Sequence, residues 1–257
     1  MTKRKVILFL VEGTCDLTAL ARPFKTYFES KALVEGEAFY CDVTTASLYP
    51  KDVTFRVCER VEDTVRQFIL DQIQRKRSYL WKDLVEVIHV VDLDGAFIPD
   101  ECVVQDDHLD ATSYESARIV ASNAEGIRKR NEVKRKALGR LIYKGFLAFH
   151  GVKVPYHVYF MSRNLEHALF GIEKELGADI KELLSQKFSE KCQENPQVLI
   201  DRLNNSEVRV DGDYLTSWKA VQEGTASLKR GSNLGLLLMR SFLADILSAA
   251  VWLEINA

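Results

Sequence analysis

Three carboxylates are spaced so that they can act together at one edge of a sheet. Glu12 directly follows the apolar run Val6–Val11, and Asp92 directly follows a second run, Val85–Val91, interrupted only by Glu86 and His89. Asp94 stands two residues further on; if the backbone stays extended, it and Asp92 project to the same side. Gly13 and Gly95 follow Glu12 and Asp94, and glycine permits the tight turns that bring backbone close to a ligand. Carboxylates brought together repel one another and raise at least one pKa unless a cation neutralises them. An all-oxygen set suits a hard ion, Mg²⁺ or Mn²⁺, which keeps several waters and binds substrate phosphates.

For these acids to meet, the runs that carry them must be strands of one sheet. Short apolar runs alternate with amphipathic segments along the chain, which predicts an α/β fold with a parallel sheet flanked by helices. In such sheets, ligand sites gather outside the carboxyl ends of the strands, where Glu12 and Asp92 would lie. Leu17, Leu20, Ala21, Phe24, Tyr27 and Phe28 mark a first helix, which Pro23 should kink or split. A second strand is predicted over Ala38–Thr44, and a helix with Val57, Val61, Val65, Phe68, Ile69 and Ile73 on one face. Pro99 to Ala111 reads as a loop, Tyr114 to about Tyr143 as a helix, and Tyr156–Met161 as a fourth strand. Helical patterns follow near 164–176, 178–193 and 196–204, then a turn-like DGD at 211–213 and an apolar helix from Leu234 to Ile255. The simplest division is a catalytic α/β core over 1–170 and a helical extension over 171–257 packed on it.

Composition narrows the partners. The chain has 257 residues, 47% hydrophobic and 28% charged, with a net charge of −2 and a pI near 6.3. That balance excludes a uniformly basic nucleic-acid coat but not a local basic patch. Cys15, Cys41, Cys58, Cys102 and Cys192 form no C-x-x-C pair and are odd in number, which argues for reduced thiols in the cytoplasm and against zinc or a disulfide framework. The basic and then apolar N-terminus is too short and lacks a cleavage site for a signal peptide, so a buried strand is expected. Arg240, Asp245 and Glu254 interrupt the C-terminal apolar stretch, so a core helix is expected and no membrane span.

VILFLVEGTCD, with VIHVVDLDG some eighty residues on, resembles the two signatures of the Toprim domain, and among its members the stand-alone OLD-type nucleases. The resemblance implies a Toprim-like Rossmannoid sheet and a Mg²⁺-dependent nuclease acting on DNA or RNA. It makes Glu12 the general acid or base, and Asp92 and Asp94 metal ligands. Asp16 resembles a further acid of OLD-type members; an acid there is also favoured by the helix dipole. SRNLEHALF resembles a segment whose helix-opening acid joins the metal site, which would be Glu166. A longer family pattern, D-x-D-x-E, needs an acid where this chain has Ala96; Asp16 or Glu166 would substitute. No G-x-x-x-x-G-K-[ST] motif is present, so an ATPase would have to be a separate partner. A role in phage defence follows from the same resemblance, which leaves the oligomeric state open.

Outside the acids, a run from Arg128 to Lys144 holds Arg128, Lys129, Arg130, Lys134, Arg135, Lys136, Arg140 and Lys144 against one acid, Glu132. On a helix most would share a wide exposed face, either merely solvated or tracking nucleic-acid phosphates. In SLKRGSN, Lys229 is a candidate for stabilising a phosphoryl transition state. His89 reads as a core histidine, and His150, His157 and His167 make no ligand spacing. Two other functions stay open. VVDLDGAF also looks like the first motif of haloacid-dehalogenase phosphatases, with Asp92 as nucleophile, although Ser217 stands where a later acid would be expected. The fold could also be a non-catalytic binding or assembly module.

Overall fold

The computed structural model describes residues 5–31, 35–40 and 60–239. Its centre is a five-stranded sheet of β1 (Val6–Val11), β2 (Glu35–Tyr40), β3 (Leu84–Asp92), β7 (Phe146–Phe149) and β8 (Val152–Met161), in the order β2-β1-β3-β8-β7. The first four strands in that order run parallel, and β7 returns antiparallel to β8. A small second sheet joins β4 (Val103–Gln105), β5 (Ser113–Tyr114) and β6 (Ile119–Ala121) in the order β4-β6-β5. The protein is thus a mixed α/β fold with parallel strands flanked by helices.

Both faces of the large sheet are covered, which is why β1 is continuously apolar and β3 nearly so. Alternate residues of β1 feed two cores. Val6, Leu8 and Leu10 pack with α3 (Val61–Lys76), α4 (Ala124–Leu141) and Trp218. Ile7, Phe9 and Val11 pack with the first helix and with Leu165, Leu169, Phe188, Leu199 and Leu203 on the other face. Those last residues belong to α5 (Leu165–Phe170), α6 (Ala178–Glu194) and α7 (Gln197–Asn204). Trp218 lies on α8 (Tyr214–Gln222) and donates its ring N–H to the Val158 carbonyl at 3.1 Å. Segments after residue 170 therefore complete both cores.

Several local expectations need correction. The first helix begins as α1 (Thr14–Asp16), widens to a π turn over Leu17–Ala21 and resumes as α2 (Arg22–Lys31). The widened turn directly precedes Pro23, whose missing N–H breaks the regular ladder. The second strand covers Glu35–Tyr40 and not 38–44; residues 41–44 lie outside the described residues, as does the start of the helix expected from Val57. The helix expected from Tyr114 begins only at Ala124, where Asn123 caps it by accepting the Gly126 N–H at 2.9 Å. β5 and β6 occupy the intervening stretch, and β4 lies within the expected loop. The hairpin strand β7 and helix α8 were not anticipated. Leu236–Met239 is helical; the rest of the expected C-terminal helix lies outside the described residues. Among the described residues no helix is long and apolar enough to cross a membrane.

Candidate active site

The carboxyl ends of β1, β3 and β8 bring the acids together. Glu12 leaves β1, Asp92 is the last residue of β3, and Glu166 sits in the first turn of α5, just beyond β8. Asn164 starts that helix by accepting the His167 N–H at 2.9 Å. Asp16 lies in the first helical turn after β1, where its carboxylate accepts the Gly13 N–H at 2.9 Å. It therefore caps its own helix, as the dipole argument requires, and faces the site as well. Asp16, Asp92, Asp94 and Glu166 line one cavity of about 500 Å³.

The D-x-D segment is not extended throughout, as its spacing suggested. β3 ends at Asp92, and the chain turns with Asp94 and Gly95 both left-handed, at φ 48° and 69°. Aspartate tolerates this region better than most residues, and glycine adopts it without strain. A Cβ on Gly95 would also lie 2.5 Å from Leu228 Cδ2, so both conformation and space require glycine there. The turn is held at its backbone: Asp94 N–H donates to the Arg163 carbonyl at 2.9 Å, and Arg130 donates to the Asp94 carbonyl at 2.8 Å.

Lys134 is the residue that sequence reasoning misplaced. Its side chain is fully buried, and its Nζ lies 3.1 Å from Glu12 Oε2 and 3.0 Å from Asp94 Oδ2. Far from lying on an exposed basic face, it links the acid of the first motif to an acid of the second. The same helix supplies further supports for the acid loop. Arg135 donates to the carbonyls of Ala96 and Ile98 at 3.1 and 3.2 Å. Arg128 donates to the carbonyls of Asp100 and Val103, at 3.2 and 2.7 Å. Lys129 and Lys136 do face solvent, paired with Glu125 and Glu132 along the helix. The positive charge of α4 is thus directed largely inward, because loop 94–103 presents carbonyls that need donors.

Electrostatics divide the acids. Burial pushes Asp92 well above the ordinary carboxylate range, and the charges of Asp16, Asp94 and Glu12 push it further against the pull of Lys134. Burial, reinforced by Glu166, raises Asp16 to about 7. Burial acts on Asp94 in the same sense, but Lys134 and Arg130 more than offset it and leave Asp94 below its usual value.

The chain matches no family model, no curated protein and no solved structure.

Among the described residues, no three His, Cys, Asp or Glu side chains close on one point as a metal set. The donor chemistry nevertheless fits a divalent ion. Five carboxylates, Asp16, Asp92, Asp94, Glu166 and Glu175, line one cavity, and Asp16 and Asp92 are pushed toward protonation by burial and by neighbouring acids, the condition that a hard cation relieves. Lys181, which lines the same cavity, was missed in the sequence. Burial opposes its charge, yet its bond to Glu175 at 2.6 Å and the nearby Glu166 and Asp92 raise its pKa. It lies on α6 some 87 residues beyond Asp94, and no local pattern marks it. Lys229, expected beside the acids, lines a neighbouring cavity instead. His89 bonds Tyr156 Oη through Nδ1 at 2.7 Å inside the sheet.

Proposed function

We propose that this chain is a Toprim-type nuclease, hydrolysing phosphodiester bonds of DNA or RNA with Mg²⁺ or Mn²⁺. One observation carries the reading: acids at or just beyond the ends of β1, β3 and β8 gather at the carboxyl edge of a parallel sheet, and Asp16, Asp92, Asp94 and Glu166 among them line one cavity. Asp92 and Asp94 would hold the ion, with Asp16 and Glu166 as the further carboxylates in the same cavity. When bound, the ion would neutralise the scissile phosphate and lower the pKa of a coordinated water. Glu12 would exchange a proton with the attacking water or the leaving oxygen. Lys134 fixes Glu12 relative to Asp94, so the proton acceptor and the ligand loop keep one geometry. Arg130 and Arg135 hold that loop from behind.

A phosphatase using Asp92 as nucleophile gives no role to Glu12, Asp16 or Glu166, and Ser217 is buried, bonded to the Tyr214 carbonyl at 2.8 Å. A non-catalytic module leaves the crowded acids unexplained. The test is cleavage of single- and double-stranded DNA and structured RNA with either metal, by wild type and by Asp94→Asn. The expected result is metal-dependent cutting that falls on the order of a hundredfold or more in the variant. Folded wild type that cuts none of these polymers but hydrolyses a phosphomonoester would overturn the nuclease reading in favour of a phosphatase.

A further inference from the structure

A second cavity, of about 400 Å³, adjoins the acidic one, and Tyr114 and Arg163 line both. Its other walls include His167, Lys229, Arg230 and Glu173. Arg163 is only 4% exposed. It donates through Nη1 to the Tyr114 carbonyl at 3.0 Å and through Nη2 to the Glu173 carbonyl. These partners are neutral, so the guanidinium is fixed in place with no carboxylate bonded to it among the described residues. Burial lowers the Arg163 pKa although the charges of Glu175, Glu173 and Asp94 act to raise it. A desolvated cation with no directly bonded carboxylate is costly, and an anion in the adjoining cavity would relieve it. Arg163 Nε and His167 Nδ1 are, moreover, buried without a hydrogen-bond partner among the described residues, and buried polar groups left unpaired are rare. Arg230 is already committed, to the Ala168 carbonyl at 3.1 Å and to the Glu207 carboxylate. Lys229 is exposed, and no ion pair engages it among the described residues.

We propose that this cavity binds a phosphate of the substrate strand next to the one being cleaved. Arg163 is its buried cation, Lys229 its exposed one, and His167 the neighbouring donor. The shared wall of Tyr114 and Arg163 places the second phosphate beside the first, so a strand and not an isolated phosphate is the natural occupant. This assignment rests on the nuclease reading but can be tested without turnover.

The experiment is calorimetric titration of the intact chain in EDTA with single-stranded hexathymidylate, hexauridylate or inorganic phosphate. Wild type is compared with Lys229→Glu and with Ser116→Glu, both at residues that line that cavity. Both positions are exposed, so both variants should fold, and thermal melting confirms it. The expected result is oligonucleotide binding that weakens about tenfold or more in each variant and shows a shallower salt dependence in Lys229→Glu. Glu173→Gln, which removes a negative charge from the wall, should tighten binding a few-fold. Inorganic phosphate bound as well as either hexanucleotide would overturn the strand assignment in favour of a free phosphate site. Oligonucleotide binding unchanged in both charge-reversal variants, or absent in wild type, would overturn the site itself. Either failure leaves the acidic centre to its own test, because Asp94→Asn is read by cleavage and these variants by metal-free binding.

Discussion

Asp92 and Asp94 are two residues apart, face one cavity and titrate in opposite directions. Asp94 shares the ammonium of Lys134 with Glu12, at 3.0 and 3.1 Å, and stays ionised below the usual range. Asp92 lies among Asp16, Asp94 and Glu12, feels Lys134 more weakly, and is pushed up. The contrast shows that the protein compensates only part of its acidic site. Glu12 and Asp94 have a cation built in; Asp16 and Asp92 do not have enough positive charge around them to offset their burial. On the proposed reading, a cation would bind at the deficient side. The built-in lysine ties the Asp94 loop to Glu12.

The most direct way to break the contrast is to remove the lysine. Lys134→Met keeps the length and the apolar stem but leaves Glu12 and Asp94 without their shared cation. Breaking a buried pair from one side costs about 3–5 kcal/mol, so the urea midpoint should fall by far more than for a surface change. Adding Asp94→Asn to Lys134→Met should recover part of that loss, because one stranded charge goes with the cation. A Lys134→Met protein as stable as wild type would mean that the pair is screened by water and that the two sets of acids do not differ as described.

The deficient side gives a smaller effect with a defined pH dependence. The pKa of Asp16 is raised to about 7 in the folded chain, against about 3.9 in an unfolded one. Between those values the folded state binds the extra proton, so its stability relative to the unfolded state declines as pH rises through the window, and the penalty is complete above it. Asp16→Asn removes the penalty while its amide oxygen can still accept the Gly13 N–H. In metal-free buffer the variant should be more stable than wild type at pH 8, on the order of a few kcal/mol, and lose that advantage by pH 4. Millimolar Mg²⁺ should narrow the difference at pH 8 by stabilising wild type, the protein that keeps the carboxylate. Melting curves across pH with and without the ion measure both statements. An advantage independent of pH would assign the gain to something other than ionisation.

How much of this was legible follows from where each residue's signal lies. Glu12 and Asp92 could be placed because strands buried on both faces are continuously apolar, and the first acid after such a run marks its exit. Lys134 carried a signal that its basic neighbours obscured. Asn131, Lys134, Leu138 and Leu141 are buried and recur at the three- and four-residue spacing of a core-facing stripe, so a lysine within that stripe is directed inward. β5 and β6 were lost in a helical reading because two- and three-residue strands show no period; Asn123, a good N-cap, was the available marker for the true helix start. Lys181 and the second cavity depend on α6 and on the chain near 229 folding back against the site. That is a tertiary arrangement, and no local pattern of residue types encodes it.

The smallest effect sharpens the contrast from the same helix. Arg140 lies six residues beyond Lys134 and forms a two-pronged pair with Glu62 of α3, at 3.1 and 3.0 Å. Partial burial pushes the Glu62 carboxyl up, but the bonds from Arg140 outweigh it and the pKa is lowered. Its sign is therefore opposite to that of Asp16. The contribution is present above the unfolded glutamate value, about 4.3, and is lost as pH falls through the lower folded value. Arg140 is half exposed, so the pair is screened and Glu62→Gln should cost no more than about 1 kcal/mol at pH 7. High salt should erase most of that cost, while the loss in Lys134→Met should persist, since ions reach an exposed pair but not a buried one. Equal salt sensitivity in the two variants would place Lys134 in contact with solvent, and the claim of a cation sealed between Glu12 and Asp94 would fail with it.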